Sequence, residues 1–160
     1  MRWPSRSADE TRGLGAGLGA AAAGEGGVVT LVGPLGAGKT VFAQGVAAGL
    51  GIAPGLVTSP TFTVAYELAA PTGGVLVHAD AYRLEHEAEL ESAGLEDWLA
   101  PGRLLVLEWG ERFPEVLPED RLEVRITPGR EAEDREIEAR AGGPRAVALL
   151  AAWRRRCPSS

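Results

Sequence analysis

Gly33-Pro-Leu-Gly-Ala-Gly-Lys39-Thr40 fits the pattern G-x-x-x-x-G-K-[ST], and its two flanks decide the fold. Ahead of it, residues 28–32 (VVTLV) are a β-branched apolar run between glycines, the pattern of a strand buried on both faces. After it, residues 38–50 place Phe42, Val46 and Leu50 on one face, which predicts a helix ending near Gly49 or Gly51. Strand, glycine-rich turn and helix in this order bring backbone N–H groups and the positive end of a helix dipole to one point, where phosphate oxygens bind. Lys39 is expected to bridge β- and γ-phosphates, and Thr40 to offer its hydroxyl to Mg2+. Lys39 is also the only lysine, beside 15 arginines, so lysine survives where a compact ammonium is wanted between phosphates.

Working outward, residues 75–78 and 104–107 are further short apolar runs that read as buried strands. Residues 122–126 and 135–139 alternate apolar and polar, as half-exposed strands joined around Pro128-Gly129 do. Residues 14–23, after Asp9 to Thr11, read as a helix despite their glycines, and residues 145–153 as a closing helix. The acidic stretch 85–97 reads as one or two short helices broken at Gly94, and residues 57–68 as extended chain with a turn at Ser59-Pro60-Thr61. Strands alternating with helices predict an α/β fold, a P-loop NTPase-like three-layer sandwich with a largely parallel central sheet.

Composition bounds the rest. At 160 residues, 45% hydrophobic and 24% charged, the chain is expected to be one domain, residues 1–160. No run reaches the roughly 18 uninterrupted apolar residues of a membrane span, and the N-terminal charges Arg2, Arg6, Asp9, Glu10 and Arg12 do not make a secretory signal. A single cysteine, Cys157, fits a reducing compartment, so a cytoplasmic location with no membrane contact is expected. The net charge of −6 argues against non-specific binding to DNA or other nucleic acid. Six carboxylates lie between Glu85 and Asp97 with no Lys or Arg among them, so the acidity is one local face. That face is either an ordinary solvated helix surface or a dock for a basic partner.

A P-loop nucleotidase also needs a carboxylate at the end of a neighbouring strand. Glu108, after four apolar residues, is the first candidate for the metal; Asp80, just past the run 75–78, competes or serves as a turn residue. His78 near Asp80 gives only a weak zinc site, with no cysteine or second histidine beside it. Trp109 reads as a core aromatic or a ring that excludes water from the metal acid. Thr61 falls where GTPases place a γ-phosphate sensor, or is part of a proline turn. Arg83 either pairs structurally or reaches phosphate, and Arg154 to Arg156 read as a solvated helix end.

GPLGAGKT, then SPTF at 59–62, HADAYRL at 78–84 and LEW at 107–109, in this order and spacing, resemble the TsaE family, also called YjeE. The resemblance runs from about residue 9 to 126, and H-x-D-x-Y-R followed by L-E-W is its specific part. It implies a Mg2+-dependent ATPase, weak alone, of tRNA threonylcarbamoyladenosine synthesis. Such an ATPase works with TsaB and TsaD, and its ATP hydrolysis resets their complex; tRNA is met through that complex. It also implies Lys39, Asp80, Glu108 and Trp109 as residues needed for activity, and Thr40 and Glu108 on the metal. Thr11, Leu35, Gly36, Ala37, Gly38, Lys39, Thr40 and Thr61 are then expected around the nucleotide. Pro34 stands where that family often has an acid, and Ala79 and Ala81 where larger apolar residues are usual. The alternatives are a small-molecule kinase, for which no convincing arginine-bearing lid is visible, and a nucleotide-binding scaffold without catalysis.

Overall fold

The computed structural model describes residues 1–58 and 64–158. Its strands are β1 (Arg2–Ser5), β2 (Gly27–Val32), β3 (Ala65–Ala69), β4 (Val75–Asp80), β5 (Arg103–Glu108), β6 (Leu122–Pro128) and β7 (Arg135–Ala141). Its helices are α1 (Ala8–Ala22), α2 (Lys39–Gly49), α3 (Glu87–Ala93), α4 (Leu95–Trp98) and α5 (Pro144–Arg156), with 3-10 turns at Pro54–Leu56 and Gly110–Arg112. The strands form one seven-stranded sheet in the order β1-β7-β6-β2-β5-β4-β3. The central four, β6, β2, β5 and β4, are parallel; β3, β7 and β1 add antiparallel edges. For β3 and β7 the antiparallel pairing follows from short links, because loops 70–74 and 129–134 are too short for a parallel crossover.

Alternation along β5 shows the layers. Leu104 and Val106 join the core beneath α1, α2 and α5, whereas Leu105 and Leu107 join a second core with Leu90, Leu95 and Trp98 of α3 and α4. With helices on both faces, this is an α/β fold of the P-loop NTPase type. Ala79 and Ala81 are fully buried in the second core. Among the described residues, no helix is long and apolar enough to cross a membrane.

Three differences from the sequence-based expectations have physical causes. First, α1 begins at Ala8 rather than near residue 14. Ser7 caps it by accepting the Glu10 N–H at 3.0 Å, while Glu10 reaches back to the Arg6 N–H at 2.7 Å. Second, the glycines of α1 are a packing device. A Cβ on Gly15 or Gly19 would collide with the Phe42 or Val46 carbonyl of α2, and one on Gly45 or Gly49 with the Arg12 or Ala16 carbonyl of α1. The two helices therefore meet backbone to backbone. Third, β1 is an additional strand paired with β7, and Pro4 is tolerated there because the strand lies at the sheet edge. Trp3 of β1 stacks on Trp153 of α5 at 4.2 Å, which ties both termini to α1.

Candidate active site

Register and parity assemble the site. Asp80 is opposite Glu108 in the parallel β4–β5 ladder, each the last residue of its strand, so Asp80 belongs to the strand and does not lie past its end. Positions 76, 78 and 80 share a face, as do 104, 106 and 108, and Leu76, Leu104 and Val106 place that face beneath α1 and α2. Glu108, His78 and Asp80 therefore lie on the side of the sheet from which β2 runs through the loop into α2. Lys39 is the first residue of α2 and Thr40 the second.

The loop itself is tightly held. Gly38, with φ 104°, occupies backbone space that a side chain would strain. The Ala37 N–H donates to the Pro34 carbonyl at 3.1 Å, so this amide is turned into the loop. Leu35 is 71% exposed, which leaves it only its main chain to offer a phosphate, while Ala37 is buried. From the start of β7, Arg135 Nε–H donates to the Ala37 carbonyl at 2.7 Å and its Nη2 to the Gly36 carbonyl at 3.3 Å. These bonds hold two loop carbonyls from outside, the orientation that frees amides to point inward. Thr11 is buried and shares a 2.7 Å hydrogen bond with Ser5, and it lines a cavity of about 140 Å³ with Ala8, Gly38, Val41, Glu133 and Arg135.

The Lys39 ammonium donates to the Gly33 and Pro34 carbonyls and lies 3.9 Å from the centre of the Trp109 ring. Burial pushes its pKa below the ordinary lysine value, and the charges of Glu108, Glu111 and Asp80 oppose that shift. Burial likewise raises the Asp80 carboxyl, partly offset by the Tyr82 N–H that donates to Oδ1 at 2.9 Å. Glu111 is raised by burial too. One ammonium set among carboxylates at the end of parallel strands is an arrangement that can neutralise a polyphosphate and hold a hard dication beside it.

Glu108 is held from behind. Its Oε2 lies 2.7 Å from His78 Nε2, and His78 Nδ1 lies 2.7 Å from the Tyr66 hydroxyl. That hydroxyl is in turn 2.7 Å from the Thr58 carbonyl and accepts the Thr58 N–H at 2.9 Å. Both ring nitrogens of His78 are thus occupied, so the zinc reading has no lone pair to use. Among the described residues no group of three or more His, Cys, Asp or Glu could hold a metal.

Lys39, Asp80, Glu108 and Trp109 come together in space, and Thr40 adjoins them in sequence on α2. Thr61 lies outside the described residues. Arg154, Arg155 and Arg156 form the exposed last turn of α5. Sequence reasoning missed Arg135, Tyr66 and the partner of His78. No local signal marks Arg135, which meets the loop from 98 residues away. For His78, strand parity places it on one face with Asp80, but its partners depend on which strands lie beside β4.

A family model described as threonylcarbamoyl adenosine biosynthesis protein TsaE matches residues 5–137. The chain is 40% identical over 147 residues to the tRNA threonylcarbamoyladenosine biosynthesis protein TsaE of Bacillus subtilis, covering 91% of this chain and 88% of that protein. It is 43% identical over 120 residues to the protein of the same name from Treponema pallidum, covering 74% and 85% respectively. Among solved structures, Bacillus subtilis YdiB superposes with a TM-score of 0.77 at 34% identity, over 97% of this chain and 94% of that one. With the phosphate loop, the paired strand-end acids and a match across most of its length, the chain belongs to the TsaE family.

Proposed function

We propose that this chain is a Mg2+-dependent ATPase of tRNA threonylcarbamoyladenosine synthesis, working in the cytoplasm with TsaB and TsaD homologues. On this reading ATP hydrolysis resets their complex, which carries the contact with tRNA. The observation that carries it is the convergence of Lys39, Asp80 and Glu108 at the end of the β2 loop. Main-chain amides from Leu35, Gly36, Gly38 and Lys39, and from Ala37 once its bond to Pro34 opens, bind the phosphates. Lys39 takes the β- and γ-phosphate charge. Thr11 is assigned to the remainder of the nucleotide, and Thr61 is kept from the sequence as the candidate γ-phosphate sensor.

The donor set fits Mg2+, since a hydroxyl and carboxylates are hard oxygen ligands, and so small a set suits an ion held largely by phosphates and water. Thr40 and Glu108 would hold it, and when bound it neutralises charge on the phosphate oxygens. Asp80 and Glu108 share the orientation of the attacking water and the metal shell, and Trp109 covers the ammonium until nucleotide takes it. The work of the protein is positioning and charge neutralisation, so a site completed by a partner is expected to be slow alone.

The test is phosphate release from ATP by the chain alone and with TsaB and TsaD homologues. Stimulation on mixing supports the proposal, and loss of turnover in Lys39→Ala supports the loop's role. ATP binding without hydrolysis in either condition would overturn it in favour of a scaffold, and a phosphorylated metabolite in place of free phosphate would make the chain a kinase.

A further inference from the structure

We infer that His78, braced by Tyr66, is a positioning residue that fixes the Glu108 carboxylate for the hydrolytic step. The inference rests on the role of Glu108 proposed above. A fully buried imidazole is costly unless both nitrogens find partners, and here both do, at 2.7 Å each. A carboxylate only accepts, so His78 Nε2–H donates to Glu108 whether the ring is neutral or charged. The far side of the ring is equally fixed. Tyr66 faces His78 across the β3–β4 ladder, its ring stands nearly perpendicular to the imidazole at 86°, and its hydroxyl is bound by the Thr58 main chain.

The sheet register builds this row. Tyr66 is paired with His78, His78 with Val106, and Glu108 is two residues further along the same face. A glutamate has three rotatable side-chain bonds, and its placement at a strand end leaves them unconstrained by the sheet. A hydrogen bond from a ring that cannot itself move removes that freedom, as partners behind metal-binding carboxylates do elsewhere. A leucine at position 78 would leave Glu108, which is 4% exposed, without this donor. Packing alone therefore does not account for the histidine.

The test compares His78→Phe, His78→Gln, Tyr66→Phe and Glu108→Gln in the full chain. The measurements are kcat and KM for ATP, thermal melting, and Mn2+ affinity by electron paramagnetic resonance with a non-hydrolysable ATP analogue. In His78→Phe, kcat is expected to fall about 10–100-fold and Mn2+ affinity by about tenfold, with KM for ATP changing less than about threefold. His78→Gln keeps a donor for Glu108 and is expected to recover most of the loss. Tyr66→Phe removes one oxygen from a half-buried ring and is expected to fold and lower kcat several-fold.

Wild-type kcat and Mn2+ affinity in folded His78→Phe would overturn the inference, as would a loss that His78→Gln fails to restore. Should His78→Phe not fold, unchanged kcat in Tyr66→Phe overturns it and a several-fold loss supports it. An inactive Glu108→Gln beside a fully active His78→Phe removes only the role of His78. Full activity in Glu108→Gln removes both that role and the reading of Glu108.

Discussion

The Lys39 ammonium rests over the face of Trp109, 3.9 Å from its centre, and Trp109 holds this place with φ 64°, the only positive φ outside glycine among the described residues. A bulky residue in the left-handed region costs on the order of 1–2 kcal/mol, and a cation over an indole returns about 0.5–2 kcal/mol. The contact with the phosphate-loop lysine therefore offsets the cost of the backbone turn that aims the ring. We predict that ATP with Mg2+ draws the ammonium off the ring and changes Trp109 emission. The difference spectrum should vanish in Trp109→Phe, which keeps Trp3, Trp98 and Trp153; an undiminished difference in that variant would refute the displacement.

Arg135 holds the Gly36 and Ala37 carbonyls through a guanidinium, and hydrogen bonds to a charged group contribute about 1.5–3 kcal/mol each when well formed. Part of that is lost to solvent here, since Arg135 is half-buried. Arg135→Ala is expected to loosen the loop and weaken nucleotide binding by about 5–30-fold, a loss of roughly 1–2 kcal/mol. Isothermal titration with ADP checks this, and wild-type affinity would show that the loop holds its shape unaided.

The α1–α2 contact predicts opposite signs for one chemical change. Gly13 of α1 has nothing within 4 Å of an added Cβ, so Gly13→Ala should gain helix propensity, about 0.5–1 kcal/mol, and raise Tm by about 1–4 °C. Gly45→Ala meets the Arg12 carbonyl, which is backbone of a packed helix and cannot swing aside. It should destabilise by about 1–3 kcal/mol. Equal Tm values for the two variants would mean that the helices separate without cost.

The same contrast explains how much the sequence disclosed. Local patterns carried β2, the phosphate loop and α2, because strand burial, turn and helix periodicity are contiguous there, and β5 holds an unbroken apolar run. Glu108 was visible for the same reason: it ends an apolar run. The Ser7–Glu10 cap is a local signal too, but the glycines that follow weaken helix propensity, and their benefit lies in a second helix 30 residues away. β1 has only four residues and a proline, too few for periodicity, and its pairing with β7 spans nearly the whole chain. Arg135 and the row from Thr58 to Glu108 depend on sheet order, which no window of sequence contains.

Asp80 gives the pH-dependent prediction. Its carboxyl is raised chiefly by burial, with Glu108 adding to the shift and the Tyr82 N–H, His78 and Lys39 opposing it. For an acid raised in the folded state, the native chain binds the proton more tightly than the unfolded chain. Stability from this group is then fully present below the unfolded value, near 3.8, and is lost as pH rises through the raised folded value. Asp80→Asn keeps an oxygen to accept the Tyr82 N–H and removes the buried charge. In the absence of nucleotide it should melt above wild type at neutral pH, with the gap closing as pH falls toward 4. Hydrolysis should fall at the same time, since the charge that costs stability is the one proposed to orient water. A variant that melts below wild type across this range would mean that the Asp80 charge stabilises the resting site, through Lys39 or His78, by more than its burial costs.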